Sequence, residues 1–513
     1  MMSEGQRRLV TVALMAATIM QTLDTTIANV ALPHIQGSLS AAQDQIAWVL
    51  TSYIVASAIA TAPIGFMAQR YGGKWVLVAS VLGFTIASGL CGLAATLEQL
   101  VVFRILQGIF GAALVPLTQS ILLDTYPRHQ HGSAMALWGM GVMIGPILGP
   151  TLGGWLTESY SWRWVFYINL PIGVLTALAL VAILPATPAQ RSARLDVLGF
   201  VLLSVAIGSL QLMLDRGQTL DWFDSTEIVV ETGLAALALY LFIVHSLTTR
   251  QPFLPLRLFA DRSFMLGLVM IGVVGIVLLA TSALLPPFLQ NLKGYPVLLI
   301  GLMLAPRGVG TMIAMNLSGR LMPVVDPRLL ILTGAILIAA SLEWMANFSL
   351  DVQSHSIVLS GMLQGLGLGL VFVPLSTLAF ETLPAADRGH ATALFSLIRN
   401  IGSSVGIALC FAYLTRGTQI EHAHLVEHVN PFNPAVIQYL SADTGLPRAA
   451  TLALIDGEVQ RQAGLLALLA DFRFMAIAVL LSAPLVLLFR RAPRGALASP
   501  PDRATAALAE DGG

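Results

Sequence analysis

Charge is what this sequence has least of. Of its 513 residues, 11% are Asp, Glu, Lys or Arg, under half of the roughly 25% that a soluble domain carries. With 56% apolar residues beside so few charges, the chain has no hydrated surface to present, and a water-soluble globule is excluded. The 27 basic and 27 acidic residues cancel, which removes the basic excess that nucleic-acid partners call for. Only two cysteines occur, Cys91 and Cys410, both inside apolar runs, so no disulfide framework is on offer. The HExxH, P-loop and CxxC patterns are all missing, so neither an ATP-driven motor nor a metalloenzyme has support, and no cofactor is expected. Gly402-Ser403-Ser404-Val405-Gly406 has the spacing of a hydrolase nucleophile turn. It lies in an apolar helical run rather than between a strand and a helix, so the chain is not expected to be an enzyme.

Long apolar stretches are present along almost the whole length. A bilayer-spanning helix takes about 20 residues at roughly 1.5 Å each, and fourteen stretches qualify: 10–32, 46–68, 75–96, 100–122, 134–157, 163–184, 196–215, 228–248, 263–287, 298–322, 329–349, 356–381, 391–415 and 469–490. Their length, and the lack of ten-residue alternation, call for helices rather than a barrel. The first carries Asp24 and Asn29 and no small-residue cleavage site, so it reads as a span and not a removed signal. Basic residues set the orientation. Arg7, Arg8, Arg70, Lys74, Arg128, Arg191, Arg194, Arg250, Arg257, Arg262, Arg320, Arg328 and Arg388 fall on one side, and Arg163, Arg216, Lys293, Arg416, Arg448, Arg461 and Arg473 on the other. The expectation is a multi-pass protein with both termini in the cytoplasm.

The chain also repeats itself. Leu106-Gln107-Gly108, Val115-Pro116-Leu117 and Gly132-x-Ala134-x-Ala136-Leu137 recur 257 residues later as Leu363-Gln364-Gly365, Val373-Pro374-Leu375 (here with a one-residue slip) and Gly389-x-Ala391-x-Ala393-Leu394. Gly65 precedes Lys74, and Gly319 precedes Arg328, by the same nine residues. Parallel repeats of this kind place a substrate site at their interface near the bilayer midplane. The expected organisation is an N-terminal six-helix bundle over 1–190, two inserted helices over 191–260, a C-terminal six-helix bundle over 261–491, and a disordered tail over 492–513. Within the second bundle, 416–468 reads as a long outer loop, the kind that either has a task or is disordered.

Several polar residues stand out against this background. Asp24 lies about two-thirds of the way across the first span, where an ionised carboxylate costs roughly 2.5–3.5 kcal/mol. Hydrocarbon favours the neutral acid, so Asp24 suits proton coupling; a hydrogen bond to a neighbouring helix is the plainer alternative. Arg104 opens the fourth span and stays charged, either biasing a nearby acid or snorkelling to the interface. Gly141, Gly145, Gly149 and Gly153, followed by Gly154, stack on one helix face and permit close helix approach, while Pro146 and Pro150 should bend it. Such a helix suits a rocking joint where the two halves meet. In the second half Arg399 and Asn400 occupy the corresponding region, so an asymmetric joint is expected. Arg307 and Arg399 are further cations within spans. Glu343 is an acid within a span, a second candidate for proton coupling, and either arginine could pair with it.

These residues resemble a known family, the fourteen-span drug:proton antiporters of the major facilitator superfamily, and within it the EmrB branch of the EmrB/QacA type. The resemblance covers nearly the full length. It rests on LDTTIANVALP (23–33), Arg104 with Gln107-Gly108, GVMIGPILGPTLGG (141–154), WRWVFYINLPIG (162–173), SLQLMLDRGQTLDWF (209–223), LAPRGVG (304–310) and HVNPFNP (428–434). It implies an all-α integral membrane fold of two six-helix bundles plus two inserted helices, a bacterial inner-membrane location, and proton-coupled multidrug efflux of small lipophilic or amphipathic compounds. It further implies a part for Arg104 in proton transfer, an antiporter motif at 141–154, and a cavity lined by spans one, four, nine and twelve. Gln21, Asn29, Gln107, Gln364, Arg307 and Arg399 are its candidate polar groups. The turn at 65–74 resembles the superfamily's signature loop through Gly65, Arg70, Gly72 and Lys74, but Gln69 stands where an acid is usual, so Arg70 and Lys74 are expected to contact helix ends. A periplasmic membrane-fusion adaptor and an outer-membrane channel are the implied partners, with 416–468 as the contact surface. Other readings stay open: a proton-coupled importer, an exporter of one metabolite or a non-transporting scaffold; an integral membrane enzyme would need convergent polar groups that the sequence does not offer.

Overall fold

Hydrocarbon leaves a backbone no water to bond, so each crossing must satisfy its own N–H and C=O groups, and helices dominate the result. A computed structural model describes residues 4–127, 130–186, 195–249, 252–384, 387–430, 432–434, 436, 438 and 448–489. Arg128, Arg191, Arg194, Arg250 and the tail 492–513 lie outside the described residues. Among the described residues, thirteen helices are long and apolar enough to cross a membrane. A fourteenth crossing comes from the pair Trp48–Thr61 and Ile64–Tyr71, bent by 53° at their junction. The junction holds Pro63, which has no N–H to continue the ladder.

The crossings are α1 (Glu4–Leu39), α2 (the bent pair), α3 (Gly73–Leu93), α4 (Leu97–Gly111 and Leu114–Thr125), α5 (His131–Ser159), α6 (Trp164–Tyr167 and Asn169–Ile183), α7 (Val197–Arg216) and α8 (Thr226–Thr248). They continue as α9 (Arg262–Pro287), α10 (Val297–Leu321), α11 (Pro327–Met345), α12 (Ser354–Glu381), α13 (Arg388–Glu427) and α14 (Arg448–Ser482). α5 keeps a helical backbone through both of its internal prolines.

The long loop expected over 416–468 is different in the structure. α13 runs on to Glu427 and α14 already begins at Arg448, so much of the segment is two helical extensions. His422 Nε2 meets Asp456 Oδ1 at 3.2 Å between them. Periodic apolar residues such as Ile420, Leu452 and Leu454 were outweighed at the sequence level by the local density of His, Asn and Pro.

α1 packs on α5, α6 and the second limb of α4, while α2 and α3 both pack on α4. Later in the chain α9 packs on α12, α13 and α14, α12 packs on α10 and α11, and α14 lies against α11 and α13. The two groups meet along α5–α10 and where α2 and α4 touch α13. α7 and α8 pair with each other, and α7 also touches α2 and α13. α8 exposes Val230, Leu234, Leu237, Leu241 and Val244, an apolar surface suited to lipid.

Asp196 anchors the α7–α8 pair. Its Oδ1 accepts from the Gly199 N–H at 2.9 Å and faces His245 Nε2 at 2.8 Å, and its Oδ2 accepts from the Phe253 N–H at 3.1 Å. Burial pushes this carboxyl up, and the Gly199, His245 and Phe253 contacts more than offset that, so it titrates below the ordinary carboxylate range. A depressed acid stabilises the fold fully above its unfolded value of about 3.9 and loses that contribution as pH falls through the folded value. Asp196→Ala should therefore cost about 1 kcal/mol at neutral pH, the usual cost of a lost N-cap. The gap from wild type should begin to narrow as pH falls below about 3.9 and close once it passes below the folded value. Thermal melts across pH check this, and a gap unchanged at low pH refutes it.

Candidate functional site

Asp24 sits where α1, α4 and α6 converge, with no solvent exposure. Its Oδ2 accepts from Arg104 Nη1 at 2.7 Å; its Oδ1 accepts from Gln107 Nε2 at 2.8 Å and Asn169 Nδ2 at 3.0 Å. Arg104 also donates to Gln107 Oε1 at 2.8 Å and to the Val49 carbonyl at 3.1 Å. Its guanidinium lies over the Tyr53 ring, 4.3 Å from the centroid. Asn169 reaches Ser88 Oγ at 3.0 Å, and Ser88 donates to the Phe166 carbonyl. Snorkelling is thus excluded for Arg104, which is 1% exposed. A buried ion pair of this kind costs desolvation, and removing one partner leaves a stranded charge worth about 3–5 kcal/mol.

The glycine stripe supports this site from behind. A Cβ built on Gly145 would lie 2.4 Å from the Thr22 carbonyl carbon, one on Gly149 2.2 Å from Thr26 Oγ1, and one on Gly153 3.0 Å from the Ile27 carbonyl oxygen. Gly141 faces Met15, and Gly154 has only Val30 at 4.0 Å. The stripe therefore lies against α1 in its own half, which corrects its expected place between the halves. The seam uses another face of α5: Gly132 meets Met322, Gly139 meets Met315, Gly319 meets Ala136, and Ile147 fills the space over Gly308. Near the end of the bundle that holds both Glu4 and Leu488, Gly65 packs on His390, and Arg388 Nη1 donates to Asp124 Oδ1 at 2.6 Å. In the signature turn the expected helix-end contact is seen for Lys74. Gly72 takes φ 86°, where a Cβ is disfavoured, and Lys74 Nζ caps the Val181 carbonyl at the end of α6 at 2.8 Å. Arg70 lies over the Tyr71 ring.

Other candidate residues are redistributed. Gln107 belongs to the Asp24 network and not to a cavity. Gln364 is fully buried and donates to Thr281 Oγ1 at 3.1 Å. Asn29 is exposed, and Gln21 is half-buried with its amide on the Tyr53 hydroxyl. Arg307 donates to Ser282 Oγ and to the Leu278 carbonyl, both at 2.9 Å; Arg399 is half-buried on α13. Glu343 pairs with neither. It lies in the last turn of α11, with half its side chain exposed, 3.8 Å from Arg473, so its expected depth was wrong by the length of span assigned beyond it. Gly402 and Gly406 take the backbone of α9 at Gly272 and Ile276, which explains that motif by packing. Two polar groups escaped the sequence reading, Asn169 and Asp471. Asn169 follows an apolar run and Asp471 shares its apolar window with Arg473 alone, and that contrast was the available signal.

The sequence profile of the Major Facilitator Superfamily matches residues 14–407. The chain is 38% identical over 432 residues to "Multidrug export protein EmrB" of Escherichia coli strain K12, covering 84% of each. It is 36% identical over 456 residues to "Fatty acid resistance protein FarB" of Neisseria gonorrhoeae, covering 88% of this chain and 90% of that one. Among solved structures, the proton:xylose symporter XylE superposes with a TM-score of 0.60 at 15% identity, over 95% of this chain and 96% of that one; this is a likeness of fold.

Proposed function

Because this chain belongs to the Major Facilitator Superfamily, we propose that it is a proton-coupled multidrug exporter of small lipophilic or amphipathic compounds. One observation carries the reading: a carboxylate sealed in the bundle and held by Arg104, Gln107 and Asn169. A proton arriving on Asp24 removes the charge that attracts Arg104 and loosens α1 from α4. Asn169 Oδ1, buried and without a hydrogen-bond partner, is a ready acceptor for the new O–H once the amide turns. Neutralisation thus exchanges one set of helix ties for another, which is what alternating access asks of a coupling site.

Both termini lie in the cytoplasm on this reading, and rigid bundles over 1–190 and 261–491 rock about α5 and α10. Protons enter from outside, substrate leaves, and proton release inside resets the cycle. One charge moved through 100 mV supplies about 2.3 kcal/mol, enough for a roughly fifty-fold gradient. Arg307 and Arg399 supply positive charge to substrates that carry an acidic head group. The helical extensions within 416–468 supply the surface for a periplasmic adaptor that leads to an outer-membrane channel.

Everted membrane vesicles test the direction and the driving force together. Drug uptake should rise on energisation and collapse when the pH gradient is dissipated. Uptake that is indifferent to the gradient rejects proton coupling, and loss of drug from the vesicle interior on energisation marks an importer.

A further inference from the structure

The repeat that relates the two halves places Thr281 where the first half has Asp24, and Gln364 where it has Gln107, each 257 residues on. The correspondence extends to contacts. Gln107 Nε2 donates to Asp24, which also accepts from Asn169 on α6. Gln364 Nε2 donates to Thr281 Oγ1, which reaches Met475 Sδ on α14 at 3.9 Å. The second half thus keeps the three-helix polar junction but has lost its acid there. One helical turn from Met475 on the same helix stands Asp471, with no exposure and with neither carboxylate oxygen hydrogen-bonded. It lies on the inward stripe of Ala463, Ala467, Leu468, Phe472, Met475, Ala476 and Val479, where an apolar residue is the rule.

An ionised carboxylate with no donor in such surroundings is costly, and a neutral carboxyl far less so. Among the described residues, the groups around it offer no compensating cation. From α13 the titratable group near enough to feel its charge is the Cys410 thiol; Arg399 lies three turns away and Arg416 is exposed. α9 brings Thr281, with Arg262 at its far end. Glu343 of α11 and Arg473 of α14 pair on an exposed face, and Arg461 pairs with Glu458. The junction also holds Gln364 Oε1, buried and without a partner.

We infer that Asp471 is a second proton-carrying site, the acid of the C-terminal half, so that one transport cycle exchanges two protons. The step is protonation alone: the carboxylate takes one proton from water on one side of the membrane and returns it on the other. This rests on the proposed coupling at Asp24, and the experiment separates the two. Full-length protein in proteoliposomes, clamped at zero membrane potential, is given a gradient of about one pH unit and a neutral drug. Each coupled proton multiplies the attainable drug gradient by about ten at that pH difference. Wild type should reach about a hundred-fold, and Asp471→Asn, isosteric with the neutral acid, about tenfold. A wild type that stops near tenfold, or a variant that matches wild type, overturns the second site and leaves the first intact. A wild type with no gradient overturns the parent reading. Should Asp471→Asn fail to insert, infrared difference spectra of Asp24→Asn protein decide. A protonated-carboxyl band that vanishes in alkali is expected, and its absence at every pH overturns the assignment.

Discussion

Replacing Asp24 by Asn is expected to remove the proton carried at this site, lowering drug accumulation driven by a proton gradient by about fifty-fold at 100 mV. Asn keeps the shape of the neutral acid, so drug binding should survive while the proton carried at Asp24 is lost. The same substitution strands Arg104, which is held by Tyr53, Gln107 and the Val49 carbonyl but by no anion other than Asp24 among the contacts described. Stability should therefore drop by up to about 3–5 kcal/mol. Pairing Asp24→Asn with Arg104→Gln should recover most of that stability and none of the coupling, a non-additivity diagnostic of a shared network. Drug-susceptibility panels and transport in proteoliposomes measure the first effect, and thermal melts the second. Undiminished resistance in cells carrying Asp24→Asn would remove this residue from the mechanism.

Gly145→Val carries the second large effect. The added Cβ would sit 2.4 Å from backbone carbon and 2.6 Å from backbone nitrogen of α1, and backbone cannot swing aside as a side chain does. α1 must move off α5, and overpacking of this kind costs about 1–3 kcal/mol or more. Thr22 and Leu23 are the residues pressed, and Asp24 follows directly, so the 2.7 Å bond to Arg104 is what the shift disturbs. Export should fall at least tenfold, by analogy with small misplacements of reacting groups. Gly154→Ala, with its nearest neighbour at 4.0 Å, should melt and transport like wild type. If Gly145→Val does so as well, the tight α1–α5 contact has no functional weight.

The fourteen crossings were legible because bilayer thickness leaves so little freedom in helix length. Asp24 was legible for the same reason, since a carboxylate in hydrocarbon stands out in any apolar window. Partnerships were harder. Arg104 and Asp24 are 80 residues apart, and nothing in their local patterns says that the two side chains meet. Depth misled as well: four residues assigned beyond the end of α11 were enough to make Glu343 read as an interior acid, and a boundary drawn at 469 hid Asp471. The glycine motif at 141–154 was visible as a face but not as a destination. Its counterpart was missed entirely, because Gly402 and Gly406, each 257 residues after Gly145 and Gly149, were read only against a hydrolase pattern. In the structure both pairs do the same thing, seating the fifth helix of a repeat on the first.

α5 is pressed on two sides, by α1 along its glycine stripe and by α10 along Gly132, Gly139 and Ile147. On the α1 side backbones approach with little side-chain padding, and close-packed matter of this kind transmits displacement instead of absorbing it. A twist of α5 about its own axis drives one neighbour away while colliding with the other, so that degree of freedom is closed. What remains is tilt or slide in company with α1. The acid on α1 and the seam at α10 are thereby geared together through one shaft, and on the proposed coupling a proton bound on one side of that shaft is felt as a change of angle on the other.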